Sequence, residues 1–265
     1  MDGDVLGLQL GIAEIGLAAV LGLVFGSFLN VCIVRWGAEP KESVVRPPSR
    51  CPRCGAGLRA YDNIPVFSWL LLRGKCRQCG LPISVMYPLV EVATALIWGL
   101  MAWRYGLTLE AIRGAMFFTI LLGIAITDLR AYIIPDELSI GGLVLGLVLA
   151  AVGGIPMLVN ALIGAAVGFA LLWLIGWLGE IAFKKEAMGG GDVKMMAMVG
   201  AFVGWKGTLI SIFLGAVLGT LIFVPITMVK RDKLIPFGIF LALGAAAAWL
   251  TGEELIAWYR SYVGI

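Results

Sequence analysis

The sequence predicts an all-α polytopic membrane protein of about eight transmembrane helices, carrying a small cytoplasmic zinc-ribbon-like insert. Three observations predict it. Of the 265 residues, 60% are hydrophobic and 14% charged, with mean hydropathy +0.97, where a soluble domain carries roughly 25% charged residues. The apolar residues fall in blocks long enough to cross a hydrocarbon core of about 30 Å at about 1.5 Å per residue. The basic residues collect in one set of loops, and the longest of these holds two CxxC pairs.

The blocks are 9–34, 85–103, 109–128, 138–154, 157–182, 193–204, 208–229 and 235–251. The first follows Asp2 and Asp4 rather than a basic n-region and exceeds a signal-peptide core, so it reads as a retained first span. Turn chemistry separates later blocks at Gly153-Gly154-Ile155-Pro156, Gly189-Gly190-Gly191, Gly204-Trp205-Lys206-Gly207 and Ile235-Pro236. The tail beyond Thr251 carries Trp258, Tyr259 and Tyr262, which suits a helix lying in the outer interface.

Charge sets the expected orientation. The loop after the first block holds Arg35, Lys41, Arg46, Arg50, Arg53, Arg59, Arg73, Lys75 and Arg77, and two further loops on that side hold Lys184, Lys185, Lys230, Arg231 and Lys233. The other side holds Arg104, Arg113, Lys206 and Arg260. Basic loops stay in the cytoplasm, so both termini are expected outside. The predicted divisions are a first transmembrane helix (1–34), a polar cysteine-bearing cytoplasmic insert (35–84) and a transmembrane domain (85–265).

The chain has no histidine. That excludes Ser-His-Asp and Cys-His catalysis, HExxH zinc sites and histidine-ligated haem. Acid–base work falls to carboxylates, lysine, tyrosine or cysteine. A net charge of +3 on a lipid-embedded chain offers no case for nucleic acid; membrane lipid is the expected surrounding partner.

Cys51-Pro-Arg-Cys54-Gly and Cys76-Arg-Gln-Cys79-Gly lie 21 residues apart. Two CxxC turns can supply the four thiolates of a closed tetrahedral zinc site, structural rather than catalytic. The alternative is a pair of disulfides, which a reducing cytosol disfavours. Cys32, inside the first block, reads as packing.

Carboxylates inside spans cost about 2.5–3.5 kcal/mol at a helix centre, so Glu91, Asp128, Asp136 and Asp192 each need a reason. Asp192 follows three glycines and precedes a short apolar run. One reading makes it an N-cap. Counting from the turn at Lys206 gives roughly 21 Å of helix, which sinks it about 9 Å below the cytoplasmic surface of a ~30 Å core. Asp128 ends the third block beside Arg130, about 27 Å from Glu110; its structural reading is an interfacial aspartate balanced by that arginine. Asp136 begins the next helix and suits the helix dipole. Two neighbouring aspartates cannot both ionise and share a proton, so one can activate water while the other donates to an oxyanion. A proton relay in a transporter needs similar residues, and a membrane-tethered zinc scaffold is a third reading.

The motifs together resemble the type IV prepilin peptidases, a family of GxGD-type membrane aspartic peptidases. The resemblance runs through Phe25-Gly-Ser-Phe-Leu-Asn30 with Arg35, the two CxxCG pairs, and Asp62-Asn-Ile-Pro65 with Ser68-Trp69. It continues through Tyr87-Pro-Leu-Val-Glu91, Asp128-Leu129 with Ile134-Pro135-Asp136, Gly189-Gly190-Gly191-Asp192 with Lys194, and Ile235-Pro-Phe-Gly238. It implies an integral inner-membrane endopeptidase that removes the short basic leader of type IV prepilin or pseudopilin precursors at the cytoplasmic face. It places the catalytic pair on Asp128 and Asp192, with Gly189, Gly191, Lys194 and Asp136 as supporting motif positions. It further implies N-methylation of the new N-terminus with S-adenosylmethionine as methyl donor, associated with the Cys51, Cys54, Cys76 and Cys79 insert; the donor's contacts stay unassigned. Glu91 and Asn30 have a packing explanation as well.

Overall fold

A computed structural model describes residues 2–38, 40–185, 188–229 and 236–263, with backbone alone for 2–10, 223–229 and 263. Lys230, Arg231, Lys233 and Ile235 lie outside the described residues, as do the side chains of Asp2 and Asp4. The elements are α1 (Asp2–Trp36), a 3-10 turn (Ala60–Asn63), α2 (Phe67–Leu71), α3 (Met86–Tyr105), α4 (Leu109–Ala131), α5 (Asp136–Val152), α6 (Ile155–Phe183), α7 (Gly190–Val229) and α8 (Gly238–Val263). Only isolated β-bridges accompany them among the described residues. Among the described residues six helices are long and apolar enough to cross a membrane, and α5, at 17 residues, sits at the short end of the usual range of about 17–25. The protein is an integral membrane protein.

Among the described residues the eight apolar blocks are helical, with shifted ends. The tail differs from expectation: Trp258, Tyr259 and Tyr262 continue α8 without a break, because no glycine or proline after Gly252 interrupts the helix.

The fold of α7 depends on one glycine. Gly204 has φ 69 and ψ 177, outside the helical region. A Cβ built on Gly168 of α6 would lie 2.1 Å from the Met196 carbonyl oxygen and 3.2 Å from Thr208 Cγ2. In a straight helix those two residues stand roughly 18 Å apart. The chain therefore reverses at Gly204, and α7 is two antiparallel arms, as the turn residues at 204–207 lead one to expect.

The chain gathers into two compact units, Met1–Thr119 and Ile120–Ile265. In the first, α1 lies against α3 through small residues. A Cβ on Gly22 would stand 2.7 Å from Ala95 Cα, and one on Gly26 2.8 Å from Glu91 Cα. This four-residue spacing of glycines is how lipid-embedded helices gain close backbone packing without a hydrophobic driving force. Phe25 and Trp98 stack beside it, and the Trp98 indole donates to Thr119 Oγ1 at 3.0 Å.

In the second unit, α6 meets the first arm of α7 where Gly164 faces Gly200; a Cβ on Gly200 would be 2.1 Å from the Gly164 carbonyl. That arm, with Met195, Met196, Met198 and Val199 fully buried, is the centre of the unit. The second arm pairs with α8 through Gly215 and Gly244.

Candidate active site

Asp128 stands in the last turn of α4 and is 5% exposed. Its Oδ2 accepts a hydrogen bond from the Ile239 amide at 3.2 Å, and the Gly238 amide also faces it. Both belong to the first turn of α8, whose leading N–H groups have no intrahelical acceptor and carry the positive end of the helix dipole. Asp128 is thus the acceptor for an incoming helix N-terminus from another part of the chain. Nothing local assigns a role to Gly238 and Ile239; the available signal is the Pro236-Phe237-Gly238 break just ahead of an apolar run.

Asp192 lies within the first turn of α7, which begins at Gly190. It is therefore inside the helix rather than its N-cap. Its backbone amide donates to the Gly189 carbonyl at 3.1 Å, and its Oδ1 is buried without a hydrogen-bond partner among the described residues. From the reversal at Gly204 it is set back by roughly 18 Å of helix, well short of a ~30 Å core.

The two carboxyl groups are within electrostatic reach of each other. Ile134 connects their surroundings: a Cβ on Gly191 would stand 3.0 Å from Ile134 Cβ, and one on Gly238 would stand 2.9 Å from Ile134 Cδ1 and 2.8 Å from Asp128 Oδ2. The GxGD pattern acquires a spatial meaning. A Cβ on Gly189 would press on Asp192 Oδ2 at 3.2 Å, whereas one on Gly190 would meet nothing within 4 Å. The free position of the motif is the one with open space.

Asp136 and Lys194 lie next to this site but are occupied with each other. Lys194 Nζ donates to both Asp136 carboxylate oxygens, at 2.8 and 3.0 Å, and both side chains are nearly half exposed. Asp136 sits in the first turn of α5, where a carboxylate is favourable.

The cysteines form a separate cluster in the first unit. Two loops share one hydrogen-bond scheme: the Cys51 amide donates to Ala56 and Gly55 donates back to Cys51, while the Cys76 amide donates to Leu81 and Gly80 donates back to Cys76. Bridges Arg50–Gly57 and Lys75–Pro82 close them. Gly55 and Gly80 have φ of 71 and 68, the left-handed conformation a side chain resists. The four Sγ atoms of Cys51, Cys54, Cys76 and Cys79 lie within 4.8 Å of one another. Tetrahedral Zn–S bonds of about 2.3 Å need sulfurs about 3.8 Å apart, so the donor set fits zinc with small adjustments. Amides of Cys79 and Gln78 draw the Cys76 thiol down to about 7. At Cys54 the Ala56 amide also lowers the value, but desolvation and the three neighbouring sulfurs outweigh it and push the thiol up to about 11. A cation at the centre would stabilise all four thiolates. Cys32 is buried in α1, away from this set.

The insert is fastened elsewhere by polar contacts. Arg77 binds Asp62 Oδ1 at 2.7 Å and holds that carboxyl below its usual range. Glu91, 7% exposed on α3, accepts from the Val66 amide at 2.7 Å, and Asn30 Nδ2 donates to the Tyr87 carbonyl at 2.9 Å. Val66 has φ 61, which is strained for a β-branched residue.

Comparison with known proteins follows the same division of the chain. The bacterial peptidase A24 N-terminal domain matches residues 20–105, and the type IV leader peptidase family matches residues 115–224. A protein of Pseudomonas putida named prepilin leader peptidase/N-methyltransferase is 39% identical, over 92% of each chain. Relatives of the same name in Pseudomonas aeruginosa (38%, over 92% of this chain and 93% of the relative) and Myxococcus xanthus (44%, over 76% and 61%) are similar. No solved structure matches the chain.

Proposed function

The chain belongs to the type IV leader peptidase family, and from that premise we propose that it cleaves the leader of prepilin-like precursors with Asp128 and Asp192. The observation that carries this is the placement of two carboxyl groups, from α4 and α7, around Ile134 and within electrostatic reach of each other, one against the α8 N-terminus and the other with a buried, unpartnered oxygen. Such a pair holds one proton between its members. The amides of Gly238 and Ile239 favour the negative charge on Asp128, and Asp192 Oδ1 is free to carry the proton. The ionised carboxylate takes a proton from water as the water oxygen attacks the scissile carbonyl carbon. The protonated one donates to the developing oxyanion. Collapse of the tetrahedral species breaks the C–N bond, and the leaving amine takes up the proton.

Gly189 and Gly238 keep side-chain bulk away from the pair, Gly191 leaves room for Ile134, and the Asp136–Lys194 ion pair braces the α5 and α7 starts beside it. Loop charge supports a site and insert on the cytoplasmic side of the inner membrane. Nothing in the comparisons supports the proton-coupled transporter reading. On the same reading Cys51, Cys54, Cys76 and Cys79 would hold a structural Zn2+ within the 35–84 insert, apart from residues 85–265, which carry cleavage. When S-adenosylmethionine is bound, it supplies the methyl group for the new N-terminal amine.

The test is purified enzyme with a prepilin, followed by mass spectrometry. The expected products are a leader peptide and a mature chain heavier by one methyl. An uncut precursor would refute the peptidase assignment, and a cut but unmethylated chain would refute the second activity alone.

A further inference from the structure

In the first unit a cavity of about 700 Å3 opens between α1, α3 and the insert, within the ~300–1,000 Å3 typical of small-molecule sites. Two charged walls of this cavity lack a counter-charge. Glu91 is 7% exposed, its carboxyl accepts from the Val66 amide and from the Ser27 hydroxyl, and no lysine or arginine among the described residues pairs with it. Arg35 is also 7% exposed, and its guanidinium donates to the carbonyls of Ser43 and Pro47 at 2.6 and 2.7 Å; no carboxylate among the described residues pairs with it. Buried ions are ordinarily paired, because desolvation is otherwise uncompensated. Here two ions of opposite sign face one cavity, each held by neutral dipoles rather than by the other. A ligand with both a cationic and an anionic group satisfies them together. Trp69 and Tyr87 add aromatic surface to the same walls, of the kind on which a purine ring stacks.

We propose that this cavity is the binding site of the methyl donor, with Glu91 toward its cationic sulfonium and ammonium groups and Arg35 toward its carboxylate. The inference rests on the methyltransferase half of the proposed function and assigns it a place. S-adenosylmethionine has the required charges on one amino-acid arm and a purine at the other end. The strained backbone at Val66 has a corresponding use: its amide holds Glu91 Oε2 at the cavity wall.

The experiment is equilibrium dialysis of the full-length protein in detergent with radiolabelled S-adenosylmethionine, and separately with S-adenosylhomocysteine, which keeps the ammonium and carboxylate but has a neutral thioether in place of the sulfonium. Glu91→Gln keeps the shape and an acceptor for Val66 but removes the charge. Its affinity for the sulfonium should fall about tenfold or more, and for the thioether by a smaller factor. Val31→Trp, which fills the cavity from α1, should weaken both ligands. Ultraviolet cross-linking of the labelled donor should mark peptides within 27–91. Zinc content and melting temperature equal to the parent protein certify the fold, and if Glu91→Gln fails that check, Val31→Trp and the cross-link decide. Unchanged affinities in a protein that methylates would overturn the placement and leave the methyltransferase reading intact. A parent protein that neither binds donor nor methylates would overturn both.

Discussion

Lys194 closes on Asp136 with bonds of 2.8 and 3.0 Å to its two carboxylate oxygens, and this pairing separates Asp136 from the aspartate it rivals in sequence. Asp128 is buried against the α8 N-terminus, whereas Asp136 is nearly half exposed and already neutralised by its lysine. Asp128→Asn and Asp192→Asn are each expected to lower prepilin cleavage by at least about 10^3-fold, the upper part of the range for loss of an acid–base group. Steady-state cleavage of purified variants with parent-like melting curves measures this, and retained cleavage in either one removes that residue from the pair.

Asp136→Asn should behave differently. A half-exposed ion pair contributes about 0–1 kcal/mol, so a double-mutant cycle with Lys194→Met should give a coupling energy in that range in reversible unfolding. Cleavage should fall by no more than about tenfold. A loss equal to that of Asp128→Asn would make Asp136 a member of the catalytic pair.

The glycines of the GxGD motif should separate by space. Gly190→Ala meets an open position and is expected to cleave within about twofold of the parent protein. Gly191→Ala pushes on Ile134 at 3.0 Å, and displacement of the carboxylate by even about 1 Å can cost ~10^2-fold in rate. Comparing kcat for the two alanine variants tests this, and equal effects would contradict it.

Gly204→Ala should destabilise the second unit. Its φ of 69 disfavours a side chain, and a Cβ would lie 2.3 Å from Asn160 Nδ2. Backbone strain of this kind costs about 1–3 kcal/mol, to be read as a lower midpoint in detergent-titrated unfolding. An unshifted midpoint would mean that the reversal does not need glycine.

Metal analysis should find one zinc per chain. Serine at any of positions 51, 54, 76 or 79 should lower it, while Cys32→Ala should leave it unchanged; zinc lost from the Cys32 variant would contradict the four-cysteine set.

Much of this protein was legible in its sequence because lipid imposes simple rules. Backbone groups in hydrocarbon must be satisfied within helices, so apolar blocks marked the helices, and the Gly204–Gly207 cluster marked the reversal between the arms of α7. The four cysteines were legible because CxxC turns fix local geometry through nearest-neighbour hydrogen bonds. The tail continues α8 rather than forming a separate element, since aromatic residues report interface preference but do not end a helix. What only the tertiary structure decided was pairing between distant segments. Nothing local to Asp128 says that the amides of Gly238 and Ile239 meet it, or that Lys194 takes Asp136. Nor do Arg35 and Glu91, 56 positions apart, announce that they face one cavity. By itself the sequence determined helices, turns and the cysteine loops, all built from short-range interactions. Which buried charge finds which partner was decided by how the helices pack, because desolvation and Coulomb energy depend on distance in space rather than along the chain.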